Sequence, residues 1–156
     1  MGKYIKDSTM MASEFYVLSQ LWMRGIPATL TLGNRKSIDI LIEIDDCIKT
    51  IDVKGIRKRG KGDKWPIGSK SWENKKDHFL VLLRWDKDQN KLPEVWVVPA
   101  PKVEKLKKEW LPPNFAIYYE SDDQENNLVM NDKKASDRYL SYYKNQWQLL
   151  ERISGR

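Results

Sequence analysis

The chain has 156 residues, 40% hydrophobic and 32% charged, with 28 lysine and arginine residues against 22 acidic residues and a net charge of +6. This composition is typical of a soluble globular domain, and it excludes a transmembrane span because no run approaches 18 apolar residues. The lone Cys47 excludes an internal disulfide and a cysteine-rich zinc site, and the lone His78 argues against a Ser-His-Asp triad. Without an apolar signal sequence we expect a cytoplasmic protein, and its positive charge favours a polyanionic partner.

The predicted elements begin with an amphipathic helix over residues 9–24, ended by Gly25 and Pro27. Its apolar side chains recur at helical spacing and predict the buried face: Met11, Phe15, Leu18, Leu21 and Trp22. Strand-like segments joined by hairpin-type turns then follow over residues 28–32, 38–44 and 48–53.

The second half of the chain predicts further strands and helices. Residues 55–76 are rich in glycine and lysine and predict a loop, and the apolar segment 79–85 is typical of a strand buried on both faces. We then expect, in order, a strand at 95–98, a helix over 101–110, a strand at 115–119, an acidic loop at 120–127 and a helix over 136–150. This order predicts one α/β domain over 1–156, a mixed sheet flanked by helices, with its core at about 9–100 and a helical extension at about 101–156.

A carboxylate and a lysine lie close together on the third predicted strand. Asp52 and Lys54 are two residues apart in an apolar alternation, so both side chains point to one face with their Cα atoms ~6.6 Å apart. Asp39 lies on the preceding predicted strand and points to the face opposite its isoleucines. If these two strands pair as a hairpin, Asp39 comes close to Asp52. Taken alone, such a pair fits an exposed ion pair worth about 0–1 kcal/mol.

Glu14 strengthens the functional interpretation because it lies inside the apolar stripe of the first predicted helix. A carboxylate is rarely buried there unless a cation or hydrogen-bond donors meet it. The alternative is that Glu14 lies at the edge of the stripe, reaching solvent or pairing with a basic residue. Together Glu14, Asp39 and Asp52 form a ligand set of oxygen atoms that suits Mg²⁺ or Mn²⁺, with Lys54 beside a metal-bound water.

These residues resemble the PD-(D/E)XK nuclease superfamily, over roughly residues 10–100. Asp39 matches the first acidic position, Asp52-Val53-Lys54 the second motif and Glu14 the helix glutamate, in an order most similar to the Holliday-junction-resolvase and Mrr-like branches. The chain departs from the pattern in that Ile38 precedes Asp39 and Asp52 replaces a glutamate. The resemblance implies a restriction-endonuclease-like fold, catalysis by these four residues, the carbonyl of Val53 as a further metal ligand, and a possible homodimer.

A basic segment directly follows Lys54 and predicts contacts with the nucleic-acid backbone. The candidate phosphate-binding residues are Arg57, Lys58, Arg59, Lys61, Lys64 and Lys70. The sequence therefore predicts a Mg²⁺-dependent endonuclease, and we expect its substrate to be DNA rather than RNA. The alternative is a catalytically inactive module that keeps the fold and binds nucleic acid or protein. Duplex, branched and single-stranded substrates all stay open, and no membrane is involved.

Overall fold

The structure is a computed structural model that describes residues 2–31, 38–60, 63–68, 71–110, 116–121, 126–130 and 140–151. Helix α1 spans Gly2–Met23 and is followed by β1 (Ala28–Leu30), β2 (Ile40–Ile44) and β3 (Cys47–Arg57). Then come β4 (Lys64–Pro66), β5 (His78–Trp85), β6 (Glu94–Pro99) and helix α2 (Ala100–Trp110). Strands β7 (Ala116–Ser121) and β8 (Asn126–Met130) precede a 3-10 helix (Ser141–Tyr143) and helix α3 (Gln148–Glu151).

The main sheet has five strands in the order β1-β2-β3-β5-β6. All neighbouring pairs are antiparallel except β3 and β5, which run parallel with Ile51 opposite Phe79 and Arg57 opposite Trp85. A smaller antiparallel sheet has the order β4-β7-β8. The predicted fold class, a mixed α/β sheet flanked by helices, is confirmed.

Two hydrophobic cores cover the two faces of the main sheet. On β5, Val81 and Leu83 belong to the core that contains α1, whereas Leu80 and Leu82 belong to the core that contains α2 and the small sheet. This alternation explains why the segment reads as continuously apolar, since each side chain is buried on one face or the other. Within the described chain, no helix is long and apolar enough to cross a membrane.

The buried face of α1 differs from the predicted one. Its buried positions include Ser13, Val17 and Leu21, whereas Phe15 and Trp22 are 52% and 57% exposed. The prediction placed the largest apolar side chains against the sheet. Leu21 is buried as predicted, but the helix directs Ser13 toward β3, where Gly55 leaves no room for a larger side chain.

Two other predictions need correction. Residues 55–76 are not one loop, because β3 continues to Arg57 through its parallel pairing with β5, and β4 forms within the segment by pairing with β7. The predicted helix over 136–150 is wrong where the structure describes it, since only a 3-10 turn at Ser141–Tyr143 and the start of α3 at Gln148 are helical. The region 101–156 also contributes β7 and β8, so it is not purely helical.

Candidate active site

Asp39 lies where β2 separates from β3. The last pair of the β2–β3 ladder is Ile40 with Ile51, one residue away. The backbone N–H of Asp39 donates to the carbonyl of Ile51 at 2.8 Å, and its carboxylate Oδ2 accepts a hydrogen bond from the N–H of Val53 at 2.7 Å. The Asp39 side chain thus continues the hydrogen bonding to β3 beyond the end of β2. The bond from Val53 fixes the position of the Asp39 carboxylate.

The Asp52 carboxyl group lies next to that of Asp39, as the hairpin register requires. Asp52 is only 3% exposed, and Asp39 lies opposite it, one residue beyond the Ile40–Ile51 pair. The Lys54 ammonium lies 3.3 Å from Oδ1 of Asp52 and is itself partly buried. Two carboxylates in contact repel each other unless a proton or a cation lies between them. One ammonium at the side offsets only part of that repulsion.

The pKa of Asp39 reflects this crowding. Burial raises the pKa of the Asp39 carboxyl above its usual value, and the Asp52 charge raises it further. The hydrogen bond from Val53 and the Lys54 charge act in the opposite direction without cancelling the rise. The group therefore holds its proton more tightly than an exposed aspartate does.

Glu14 brings a third carboxylate from α1 into range of this pair. The pKa of Glu14 is raised, first by partial burial and then by repulsion from Asp39 and Asp52. The structure thus brings together three carboxylates and a lysine that are widely separated in the sequence. We name Glu14, Asp39, Asp52 and Lys54 the acidic cluster.

A close contact between α1 and β3 sets the position of Glu14. A Cβ atom on Gly55 would lie 1.9 Å from Oγ of Ser13, so only glycine permits this approach. The Ser13 hydroxyl donates to the carbonyl of Thr9 at 2.6 Å and accepts a hydrogen bond from Nε1 of Trp85 at 2.9 Å. Sequence reasoning missed this contact, because it assigned Gly55 to a loop.

The acidic cluster fits a hard divalent cation by its chemistry. Its carboxylate oxygen atoms are the ligands that Mg²⁺ and Mn²⁺ prefer, and Mg²⁺ needs only one or two carboxylates because it keeps several waters. In a strand the N–H and C=O of one residue point to the same side, so the Val53 carbonyl points to the edge where its N–H meets Asp39. Across the described residues, no three acidic, histidine or cysteine side chains are already arranged as a metal-binding group.

The predicted phosphate-binding residues lie beyond the acidic cluster, at the end of β3 and in β4. Arg57, Lys58, Arg59 and Lys64 are exposed, and we name these four residues the cationic segment. Arg57 Nε donates to Oγ1 of Thr9 at 2.8 Å, and the Lys58 ammonium is 3.9 Å from Asp86. Lys61 and Lys70 lie outside the described residues.

Asp63 anchors the cationic segment to the sheet. Its Oδ1 accepts a hydrogen bond from the backbone N–H of Arg59 at 3.0 Å, and its Oδ2 lies 2.9 Å from the buried guanidinium of Arg84. That guanidinium also contacts Glu94 at 3.0 Å and lies over the ring of Tyr119. The sequence gives no local signal for this network, because Arg84 follows Asp63 by 21 residues.

The remaining candidates from the sequence lie away from the acidic cluster. His78 is buried, with Nδ1 at 2.7 Å from Oγ1 of Thr50 and its ring stacked on Trp72. Cys47 is partly buried at the start of β3 and forms no disulfide. Both positions agree with a structural role.

Comparison with solved structures finds a protein with a similar fold. The fold is similar to that of a bacterial homing endonuclease, I-Ssp6803I, with a TM-score of 0.55 over 92% of this chain and 89% of that chain, at 15% sequence identity. No protein-family model matches the chain, and no curated protein sequence matches it significantly. At this identity the similarity establishes a nuclease-like fold.

Proposed function

We propose that this protein is a metal-dependent DNA endonuclease of the PD-(D/E)XK type, which hydrolyses phosphodiester bonds at the acidic cluster. The observation that carries the proposal is the position of Asp39 opposite Asp52, with the Lys54 ammonium 3.3 Å from Asp52 and with Glu14 of α1 close enough to feel both charges. A structural role does not account for this arrangement, since placing three carboxylates together raises their mutual repulsion. A site for a divalent cation does account for it.

Asp39 and Asp52 would hold Mg²⁺ or Mn²⁺, with Glu14 and the Val53 carbonyl as further oxygen ligands. The metal would supply a water of lowered pKa and would offset negative charge on the scissile phosphate. The hydrogen bond from Val53 to Asp39 at 2.7 Å orients one carboxylate before any ligand arrives. Such preorganisation lowers the cost of forming the site.

Lys54 has the position of a group that acts on the nucleophilic water and the phosphate. Its ammonium is held beside Asp52 and is partly accessible, so it can donate hydrogen bonds to a phosphate oxygen or to a water.

DNA is the proposed substrate for two reasons. The cationic segment gives exposed basic residues next to the acidic cluster, which suits binding to the phosphate backbone. The structurally similar protein is a homing endonuclease, and such enzymes act on DNA. Backbone contacts of this kind position a duplex without reading its sequence.

A second function is an inactive module that keeps the fold and binds nucleic acid or protein. The observation that favours it is that the described carboxylates do not already surround a common metal position. In that case the cationic segment would be the functional surface.

Cleavage of supercoiled plasmid DNA in Mg²⁺ or Mn²⁺ separates the two functions. We expect the wild-type protein to nick the plasmid, and Asp52→Asn to lose this activity while it still binds DNA. The matched control is Glu43→Gln, which changes an exposed carboxylate on β2 outside the acidic cluster. DNA binding without cleavage in either metal by the wild-type protein would support the inactive module.

A further inference from the structure

A cavity of about 300 Å³ lies at the end of β5, beside the cationic segment. Arg84, Trp85 and the following Asp86 line it from β5, and Lys58 of the cationic segment lines it from the residue after β3. Its volume is at the lower end of the range found for small-molecule sites. Such a space holds one nucleobase with its sugar but is too small for a base pair.

Two planar groups in the lining of the cavity are fixed in place. The Arg84 guanidinium lies 3.5 Å from the centre of the Tyr119 ring, and both groups line the cavity. Asp63 at 2.9 Å and Glu94 at 3.0 Å hold the guanidinium from two sides. Proteins that bind unpaired nucleotides stack the bases on aromatic rings and on guanidinium planes.

Leu92 gives the cavity an apolar wall. Its side chain is 77% exposed although it lines the cavity, so the cavity has apolar surface that faces water. A flat apolar ligand would cover this surface and gain the free energy of removing it from water. An inorganic ion would gain nothing from the same contact.

The charges of the cavity also disfavour a bare anion. Lys58 and Lys91 contribute positive charge to the lining, but the Asp86 and Glu94 carboxylates line the same space. A phosphate ion inside would therefore face two carboxylates. A nucleotide avoids this conflict, because the edge of its base carries both donors and acceptors and its phosphates can stay outside, near the exposed Lys58 and Lys91.

We propose that this cavity binds one unpaired nucleotide of a DNA strand, and we name it the nucleotide pocket. The inference rests on the proposed function and names its substrate class, a duplex that contains an unpaired nucleotide. A base that is already unpaired enters such a site without the cost of opening a base pair. The cationic segment would bind the phosphate backbone of the adjoining duplex.

The register of β3 and β5 gives the separation of the nucleotide pocket from the acidic cluster. Asp52 lies opposite Leu80, and Ile56 lies opposite Arg84. Four residues of strand at about 3.3 Å each span ~13 Å. Successive nucleotides of one strand of a duplex rise by about 3.4 Å, so this span corresponds to about four nucleotides. Cleavage at the acidic cluster should therefore fall about four nucleotides from the unpaired base.

Fluorescence anisotropy without metal tests the nucleotide pocket independently of cleavage. Three labelled duplexes share one sequence: one is fully paired, one has an extra unpaired adenine nucleotide, and one has an unpaired abasic sugar at the same place. We expect the unpaired adenine to raise affinity about tenfold over the paired duplex, since base stacking adds to binding. The abasic duplex should bind like the paired one. It has the same interruption of the helix, so it separates recognition of the base from recognition of a bent duplex.

Equal affinity for the three duplexes, or for the two with an unpaired position, would overturn the inference. Binding of free deoxyadenosine monophosphate together with equal affinity for the three duplexes would also overturn it, because the pocket would then take a free nucleotide. If the protein binds none of the duplexes, the proposed DNA substrate fails and this inference fails with it.

A pair of matched variants locates the site of binding. Leu92→Ala should lower the preference for the unpaired adenine by at least about threefold, because it removes the apolar wall, and should leave binding of the paired duplex unchanged. Ile48→Ala is the control, since Ile48 is also an exposed apolar residue, at 57%, but lies near the start of β3. An unchanged preference in Leu92→Ala would overturn the assignment to this cavity.

Mapping the cleavage products in Mg²⁺ or Mn²⁺ tests the separation from the acidic cluster. Cuts should cluster at about four nucleotides from the unpaired adenine. Cuts without a fixed distance, in a protein that prefers the unpaired base, would overturn the placement of the nucleotide pocket relative to the acidic cluster. If the protein prefers the unpaired base but cuts no DNA, the nucleotide pocket is supported and the proposed nuclease function is refuted.

Discussion

The acidic cluster and the cationic segment both include residues of β3, yet they are built in opposite ways. In the acidic cluster both aspartates have fixed partners: the N–H of Val53 for Asp39, and the Lys54 ammonium for Asp52. In the cationic segment the side chains are exposed, and the ion pair between Lys58 and Asp86 spans 3.9 Å. One region has fixed geometry, and the other mainly supplies charge.

This difference predicts how each region responds to mutation. Groups that act together lose most of their effect when any one is removed, whereas exposed charges that bind phosphates contribute separate, small increments. Substitutions in the acidic cluster should therefore affect catalysis strongly, and substitutions in the cationic segment should affect affinity weakly. The predictions below test this contrast.

The largest difference in cleavage rate is expected between two single variants, in each of which a lysine of one region is replaced by methionine. Lys54→Met should reduce the rate of plasmid cleavage by about 10²–10⁴-fold, because it removes the ammonium beside Asp52 that acts on the water or phosphate. Lys58→Met, four residues along the same chain, should change the rate by a few-fold at most. Rates measured at saturating DNA compare the two variants, and equal losses in both would show that the two regions do not differ in this way.

The contact between α1 and β3 should be the next most sensitive feature. Gly55→Ala places a Cβ atom against Ser13 and should reduce the free energy of unfolding by about 1–3 kcal/mol, as overpacking does. Urea denaturation measures the loss. Adding Ser13→Gly removes the obstructing hydroxyl, so the double variant should be more stable than expected from the sum of the two single changes. If the stability changes of the two single variants simply add, the contact between Gly55 and Ser13 is not the cause of the loss.

The raised pKa values of Asp39 and Glu14 predict an unusual pH dependence of stability. In the metal-free folded protein these groups keep their protons above the ordinary pKa values of 3.8 and 4.5, at which the unfolded chain releases them. Their stabilising contribution is therefore complete below these values and is lost as pH rises through the raised pKa values.

Urea denaturation across this pH range checks the dependence. Asp39→Asn keeps an oxygen acceptor for the Val53 N–H and removes the charge, so its stability should fall less with rising pH than that of the wild type. Glu43→Gln should follow the wild-type curve. A wild-type stability that rises through this range more steeply than in Asp39→Asn would contradict the assigned pKa directions.

The smallest effects belong to single residues of the cationic segment. Arg59→Ala and Lys64→Ala should each weaken DNA binding by a few-fold and lower the slope of log affinity against log salt by about 1. The cleavage rate at saturating DNA should not change. Lys105→Ala, an exposed lysine on α2, should leave the slope as it is. A slope unchanged in the first two variants would remove the cationic segment from the DNA interface.

The sequence predicted the meeting of Asp39 and Asp52 because strand alternation and a short hairpin determine the register locally. It did not predict the length of β3, since the segment after Lys54 is polar and forms a strand only through its pairing with the distant β5. The predicted buried face of α1 was correct for Leu21 but wrong for Phe15 and Trp22, because the helix directs Ser13 toward β3, where Gly55 admits only a small side chain. Both errors arise from contacts between residues far apart in the chain.

Calorimetric titration of the protein with Mn²⁺ at neutral pH is the most direct test of the central claim, that the acidic cluster binds a divalent cation. We predict binding by the wild type, and by Glu43→Gln with equal affinity. Asp39→Asn and Asp52→Asn should each lose this binding, and a metal concentration about 100 times the dissociation constant should stabilise the wild type by about 2.7 kcal/mol. No binding by the wild type, or equal binding in Asp52→Asn, would contradict the account.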